Sequence, residues 1–348
     1  MEWINRTADS FDSAYSIMIN DLYNNGIEVT PRGMPTLECN NYIIKIENPR
    51  KRIITNQKRH LSAGFLVAEF LWIISGNDNI DMISYYNKQW LNFTDTSFSG
   101  ENYLNGPYGP RIRNWYGIDQ LYEVYNKLKN DKDSRQAVIA IFDPQRDFKI
   151  RKDIPCNDFI QFSIRENKLN MSVYVRSQDI LFGFPYDIFH WTMMQEILAS
   201  MLNVELGYYV NYSNSLHMYL RNEKTVSLIK DEYKDNFNFN DIPEMVEMPQ
   251  IDSFNTFNDL IKTMCNIEKL IRLNNEPVIQ IFNILDSKHN YWKDLLHVLF
   301  CFKKFKYYGT CKEMENKNFI NDYWKMLFIN YQLAKSTGNV HGAIYSEK

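Results

Sequence analysis

Ile154-Pro155-Cys156 leads into a run of alternating residues that predicts a strand, and a thiol held behind a proline at a strand's edge is reachable by a small molecule. Such a cysteine acts as a nucleophile only as a thiolate, and nearby guanidinium groups favour the ionised form. Arg135 precedes one predicted strand, and Arg176-Ser177 ends another. Taken singly, these arginines read as solvated surface residues. Gathered at the ends of neighbouring strands they would form an anion pocket, because the guanidinium fork matches phosphate oxygens bidentately. Glu69 is the one acid in the apolar run from Leu61 to Ile74.

Several elements must position these groups. Phe11, Tyr15, Met18 and Leu22 recur at helical spacing over 11–25, closed by Gly26. Turn signals surround short β-rich runs between Ile27 and Ile54, and 61–74 predicts a buried helix. Residues 92–117 form a long Gly-, Asn- and Pro-rich loop of the kind that is more often functional than structureless. A helix over 121–130 precedes a buried strand at 137–144. Strands at 158–165 and 168–177 follow, joined by Glu166-Asn167 as a hairpin. Residues 186–202 give the most apolar helix, and 206–220 a further strand. Strands mixed with long helices, without regular alternation, predict an α+β (mixed α/β) fold around one large sheet. The acidic stretch 231–256 reads as a linker. Beyond it, helical periodicity over 257–273, 291–305 and 319–334 predicts a helical extension. The expected division is therefore a catalytic domain over 1–250 and a helical extension over 251–348.

Composition narrows the function. The chain has 348 residues with 45% hydrophobic and 23% charged, ordinary for a soluble globular protein, so global disorder is excluded. A net charge of −3 argues against a general nucleic-acid binder. No apolar stretch is long enough to span a membrane, and the first residues lack a leader pattern, so a cytoplasmic location is expected. Five cysteines without a Cys-x-x-Cys pair read as reduced thiols, and the six histidines spell no metal motif.

The order of the motifs is more specific than any one of them. Glu69-Phe70-Leu71-Trp72 is followed by Gly76-Asn77-Asp78-Asn79-Ile80, Gly106-Pro107-Tyr108-Gly109 and Asp133-Ser134-Arg135. Then come Ile154-Pro155-Cys156, Gln161-Phe162, Arg176-Ser177-Gln178-Asp179, Gly183-Phe184-Pro185-Tyr186-Asp187-Ile188 and His217-Met218-Tyr219. In this order and spacing, residues 26–226 resemble thymidylate synthase and its nucleotide-hydroxymethylase relatives. The resemblance implies a thymidylate synthase-like large mixed sheet flanked by helices. It implies that Cys156 adds to C6 of a pyrimidine, and that Glu69 organises water and proton transfer with Tyr108 beside the reacting base. Arg32, Arg135, Arg176 and Ser177 are implied as 5′-phosphate ligands, with Arg135 contributed across a homodimer. His217 and Tyr219 are implied at the sugar hydroxyl, Gln161 on the substrate side, and Asp179, Gly183 and Trp90 on the folate side. The implied one-carbon donor is 5,10-methylenetetrahydrofolate.

The departures from the family pattern carry information. Asp187 stands where thymidylate synthases have Asn, whose amide donates to O4 and accepts from N3–H of uracil. An ionised carboxylate only accepts, leaving a mismatch with O4 of about 1–3 kcal/mol. Cytosine offers a 4-amino donor instead, and the resemblance at Asp187 is to the cytidylate hydroxymethylases. Asn157 replaces the usual His, and Gln136 the second arginine of the phosphate motif. The tail ending Ala343-Ile344-Tyr345-Ser346-Glu347-Lys348 does not resemble the closing tail of thymidylate synthases. The expectation is conversion of dCMP or CMP to the 5-hydroxymethyl nucleotide, with no metal, membrane or nucleic acid. The alternatives are a thymidylate synthase methylating dUMP, or an inactive nucleotide- or RNA-binding relative. The second is favoured only by the basic run Arg50-Lys51-Arg52 with Lys58-Arg59.

Overall fold

The computed structural model describes residues 3–97, 99–274, 290–309, 311 and 323–336. Alternating residues after Cys156 form the hairpin of β7 (Asn157–Arg165) and β8 (Lys168–Val175). Glu166 and Asn167 at its tip both adopt positive φ, 51° and 58°, as a tight two-residue turn requires. β10 (Glu205–Tyr219) runs parallel to β8, and β3 (Thr36–Ile46) antiparallel to β10. β1 (Ile4–Ala8) and β6 (Val138–Ala140) lie at the two ends of this mixed sheet. Two short strands attach to it: β2 (Ile27–Val29) to β3 and β9 (Gln178–Asp179) to β10. The expected strand over 137–144 stops at Ala140. Asp143 caps a short helix, α6 (Pro144–Asp147), by accepting from Gln145 N–H, and Pro144 starts that helix.

One face of the sheet is apolar and covered. Ile160, Phe162 and Ile164 of β7 and Leu169, Met171 and Val173 of β8 are buried. Packed against the sheet are α1 (Phe11–Asn25), α5 (Gln120–Asn130) and α7 (Phe184–Leu202). The other face is half-exposed, with Phe159, Tyr174 and Tyr212 stacked in a ladder at 4.1 and 4.5 Å. Every residue of α2 (Ala63–Ile74) is buried, because α7 lies on one side and the C-terminal helices on the other. Ser62 caps α2 through Phe65 N–H.

The long loop is less irregular than its composition implies. After α3 (Ile80–Tyr86) it holds the small pair β4 (Asp95–Thr96) and β5 (Asn102–Tyr103), then α4 (Tyr108–Arg113). A fully buried Arg111–Asp147 fork anchors α4, with contacts of 2.7 and 2.8 Å.

The expected linker begins later than its composition suggests. α8 (Glu223–Asp235) buries Val226, Ile229 and Tyr233 and runs into it. Met245, Met248 and Ile251 then pin the following extended stretch to the body. α9 (Phe254–Leu273), α10 (Asn290–Tyr308) and α11 (Tyr323–Ser336) match the predicted helical segments closely. All three pack on α2, and a Cβ at Gly64 would lie 2.3 Å from the Phe302 ring of α10. Cys39, Cys156 and Cys265 carry free thiols. Among the described residues no helix is long and apolar enough to cross a membrane.

Candidate active site

The β7–β8 pairing sets Cys156 beside Arg176. Arg176 N–H donates to Cys156 O at 3.0 Å. The Arg176 guanidinium is clasped by two carbonyls, Nε to Pro155 at 2.8 Å and Nη2 to Ile154 at 2.9 Å, and Nη2 lies 4.0 Å from Cys156 Sγ. A lowered thiol pKa is the sequence expectation, and this chain alone does not produce it. Burial pushes the Cys156 thiol up to about 11; one guanidinium pulls against it, while Asp187, Asp153 and Asp179 add to the rise. The resting thiol is protonated and must lose its proton as it attacks.

Asp187 lies in the first turn of α7, its N–H donating to Gly183 O at 3.0 Å. Burial pushes its carboxyl up to about 7, although hydrogen bonds from the Gln178 and Asn157 side chains pull it down. Gln178 Nε2 is 3.5 Å from Asp187 Oδ2. Asn157 also donates to the Tyr108 hydroxyl at 2.7 Å, and the Tyr108 ring packs on Trp191 at 5.3 Å. Burial holds the Tyr108 hydroxyl well above its ordinary pKa, with Asp187 and Cys156 adding to the effect.

Glu69 approaches this cluster from α2. Burial first, then the charge of Asp187, holds its carboxyl well above the usual range. His190, one turn beyond Asp187 on α7, places Nε2 3.6 Å from Glu69 Oε2 and 3.3 Å from Leu66 O. Burial drives His190 down to about 3, so its imidazole is neutral beside a carboxyl whose own pKa burial raises.

At the end of β10, His217 and Tyr219 meet edge to face at 5.4 Å, and the β9 pairing sets Asp179 opposite His217. Tyr219 lies within electrostatic reach of Asp179, Arg32 and Cys156, so the expected sugar-side pair does converge on the thiol. Arg32 is exposed in the Pro-Arg-Gly turn at φ 54°, a left-handed conformation costing about 1–2 kcal/mol. Ser177 is half-buried beside Arg176. Two expected residues stand apart from the cluster. The Arg135 side chain is exposed, and its backbone carbonyl accepts from Gln161 Nε2 at 3.2 Å.

On the expected folate side, Asp179 Oδ1 accepts from Leu181 and Phe182 N–H at 2.7 and 3.0 Å. Its Oδ2 is buried without a partner among the described residues, an acceptor that suits a donor on a ligand. Gly183 borders the site, where a Cβ would meet Asp187 Oδ2 at an ordinary 4.0 Å, so space does not demand glycine there. Trp90 packs on Trp72 at 5.2 Å, one turn of α2 beyond Glu69.

Sequence reasoning missed Gln178 and His190. Gln178 stood inside a quoted motif, but its neighbour Asp187 is visible only in the fold. The basic run that favoured a nucleic-acid reading is largely used within the chain. Arg50 and Arg52 pair with buried Glu196, Lys51 pairs with Asp9, and Arg59 is buried over the Tyr186 ring.

Comparison with known proteins agrees with this arrangement. The sequence is similar to the deoxyuridylate hydroxymethyltransferase of Bacillus phage SP01, 35% identical over 219 residues covering 59% of this chain and 56% of that protein. It is also similar to the deoxyuridylate hydroxymethyltransferase of Delftia phage PhiW-14, 32% identical over 203 residues, 52% of this chain and 55% of that one. The chain thus spans about half the length of the curated relatives it matches. The family described as thymidylate synthase matches residues 13–259, a span that holds Cys156, Asp187, Glu69 and the strands between them. This chain belongs to the thymidylate synthase family.

Proposed function

We propose that this chain converts a cytosine nucleoside 5′-monophosphate, dCMP or CMP, to its 5-hydroxymethyl derivative. The carrying observation is a half-buried carboxyl, Asp187, flanked by Cys156, Tyr108 and Glu69. The Cys156 sulfur bonds to C6, its proton passing to a neighbouring base, and C5 becomes an enamine-like carbon. Methylenetetrahydrofolate, when bound, supplies the one-carbon unit to C5. Loss of the C5 proton, with cleavage of the bond between the transferred carbon and the folate nitrogen, releases tetrahydrofolate and leaves an exocyclic methylene group on the base. Water adds to that carbon, and the Cys156–C6 bond breaks to release the product. Glu69, its carboxyl pKa raised by burial, suits the task of moving protons and orienting that water. Arg176 and Ser177 suit the 5′-phosphate, with Arg32 reaching in from its turn. Asp179 and Gly183 suit the folate side, with Trp90 packed on Trp72 of α2.

A second reading, deoxyuridylate as substrate, is favoured by the two relatives' names and by Asp187 itself. As a neutral acid, Asp187 offers O–H and C=O, the same pair that an Asn amide offers uracil. A homodimer formed through the half-exposed sheet face, with its aromatic ladder, would bring Arg135 toward a partner's phosphate site. The division at about residue 250 is retained as part of this reading, with the terminal helices acting as a cover over α2.

The test is mass spectrometry of dCMP, CMP and dUMP, each incubated with the enzyme and methylenetetrahydrofolate, with Cys156→Ala as control. Hydroxymethylation of a cytosine nucleotide that disappears in the variant is the expected result. Hydroxymethylation of dUMP alone moves the second reading forward. A methyl product overturns the water-capture step.

A further inference from the structure

Behind Asp187, a line of buried polar side chains runs along the central strand β10. Ser213 Oγ donates to Asn211 Oδ1, Asn211 Nδ2 donates to Gln178 Oε1 at 3.3 Å, and Gln178 Nε2 donates to Asp187 Oδ2 at 3.5 Å. Gln178, Asn211 and Ser213 are 1%, 1% and 2% exposed. Asn211 Nδ2 also reaches the Tyr209 hydroxyl at 3.4 Å. Core positions on a central strand normally carry apolar side chains, because a buried amide without partners costs about 1–3 kcal/mol. A row of three polar groups ending on one carboxyl calls for a reason.

The direction of the line supplies it. Every link points its hydrogen toward Asp187. Turning the Gln178 amide over would set its oxygen against Asp187 and its NH2 against that of Asn211. Asn157 donates to the same carboxyl from β7. The other groups facing Asp187 are Glu69 from α2, Tyr108 from α4, Cys156 before β7 and Tyr209 from β10, with His190 one turn along its own helix. None of these is a cation, since His190 is neutral. Amide donors are therefore what the fold supplies to a carboxylate at this position.

Those donors discriminate between bases. Either pyrimidine needs one proton between its edge and the carboxyl. Uracil N3 already carries hydrogen, so the extra proton must sit on Asp187 to meet O4. With a 4-aminopyrimidine, the amino group donates to one carboxylate oxygen and the proton can sit on ring N3. Hydrogen bonds into Asp187 stabilise the second arrangement over the first.

Resting on the cytosine reading above, we propose that Gln178 is a specificity-determining residue, held by Asn211 and Ser213 so that its amide keeps Asp187 an acceptor toward a 4-amino edge. Gln178→Met keeps the side-chain length and removes the donor. The kcat/KM ratio of dCMP over dUMP is expected to fall about tenfold, the value of one hydrogen bond to a charged group. The alkaline limb of the dCMP profile moves to higher pH, because Asp187 then holds its proton more tightly. Asn211→Leu, which has no contact with Asp187, shifts both readouts the same way by less. Each variant is compared with itself on two substrates, so loss of folded protein cancels in the ratio. A purely structural role lowers both rates together and leaves the limb in place, which overturns the proposal. Preference for dUMP in the wild-type enzyme overturns the cytosine reading itself. A wild-type preference for dCMP with an unmoved ratio in both variants overturns only the role of Gln178.

Discussion

Two sets of carboxylates in this chain differ in what surrounds them. Asp147 meets the Arg111 fork on both oxygens and also accepts from Asn105 and from Asp143 N–H. Glu196 is held by Arg52, Arg50 and Met248 N–H, and although burial pushes its pKa up, the two arginines leave it below the ordinary value. Glu69 and Asp187 are less completely enclosed, Asp187 only half-buried, and among the described residues neither has a cation beside it, so burial carries both upward. The first set holds loops and helices in place. The second has its pKa values raised toward the range in which acid–base chemistry works.

Substitution should separate the two sets. Glu69→Gln is expected to lower turnover about 10²–10⁴-fold, the range for losing a general acid or base, while denaturant unfolding shows unchanged or higher stability. A stability loss with normal turnover would place Glu69 in the structural set. Asp147→Asn should do the opposite, leaving Arg111 buried with a broken fork and costing about 3–5 kcal/mol in the same unfolding measurement. Retained stability there would mean the fork is dispensable.

Proton linkage gives a smaller effect that also tests the contrast. A carboxyl whose folded pKa is raised contributes stability at acid pH and loses it as pH rises through that value, here about 7 for Asp187. His190, lowered to about 3, works the other way, but only below its unfolded value near 6.5. Between pH 6 and 8 the acids dominate, so unfolding free energy should fall on the order of 1–2 kcal/mol, and Asp187→Asn should flatten that slope. A slope unchanged in the variant would show that Asp187 is not the group responsible. Away from both sets, an effect on stability alone is expected at Gly64→Ala, where the new methyl group collides with the base of the Phe302 side chain. About 1 kcal/mol of overpacking should appear as a lowered Tm. An unchanged Tm would mean that α10 sits loosely on α2.

Much of the sheet was legible in the sequence because period-two alternation and the Glu166-Asn167 turn are local signals. The gathering of Cys156 and Arg176 was legible for the same reason, since a hairpin must place its two ends side by side. Motif order indicated the family, and with it Asp187 and His217. What stayed hidden was pairing across distance. Nothing near Arg111 announces Asp147, and nothing in Arg-Ser-Gln-Asp says that the glutamine amide faces the first turn of α7. At Cys156, guanidinium charge was visible in the sequence, but the burial opposing it was not. α8 was overlooked because its polar face dominates the composition of the stretch around 231.

The fit of Phe302 against Gly64 has a consequence for how the molecule comes into being. α2 is made early and its outer cover late, so the helix carrying Glu69 keeps an uncovered apolar flank through most of synthesis. Long-range closures of this kind are slow and leave sticky intermediates. The nascent chain should therefore engage holding chaperones until the α10 segment emerges, and competence for chemistry should arrive late, as a single event, rather than growing with chain length.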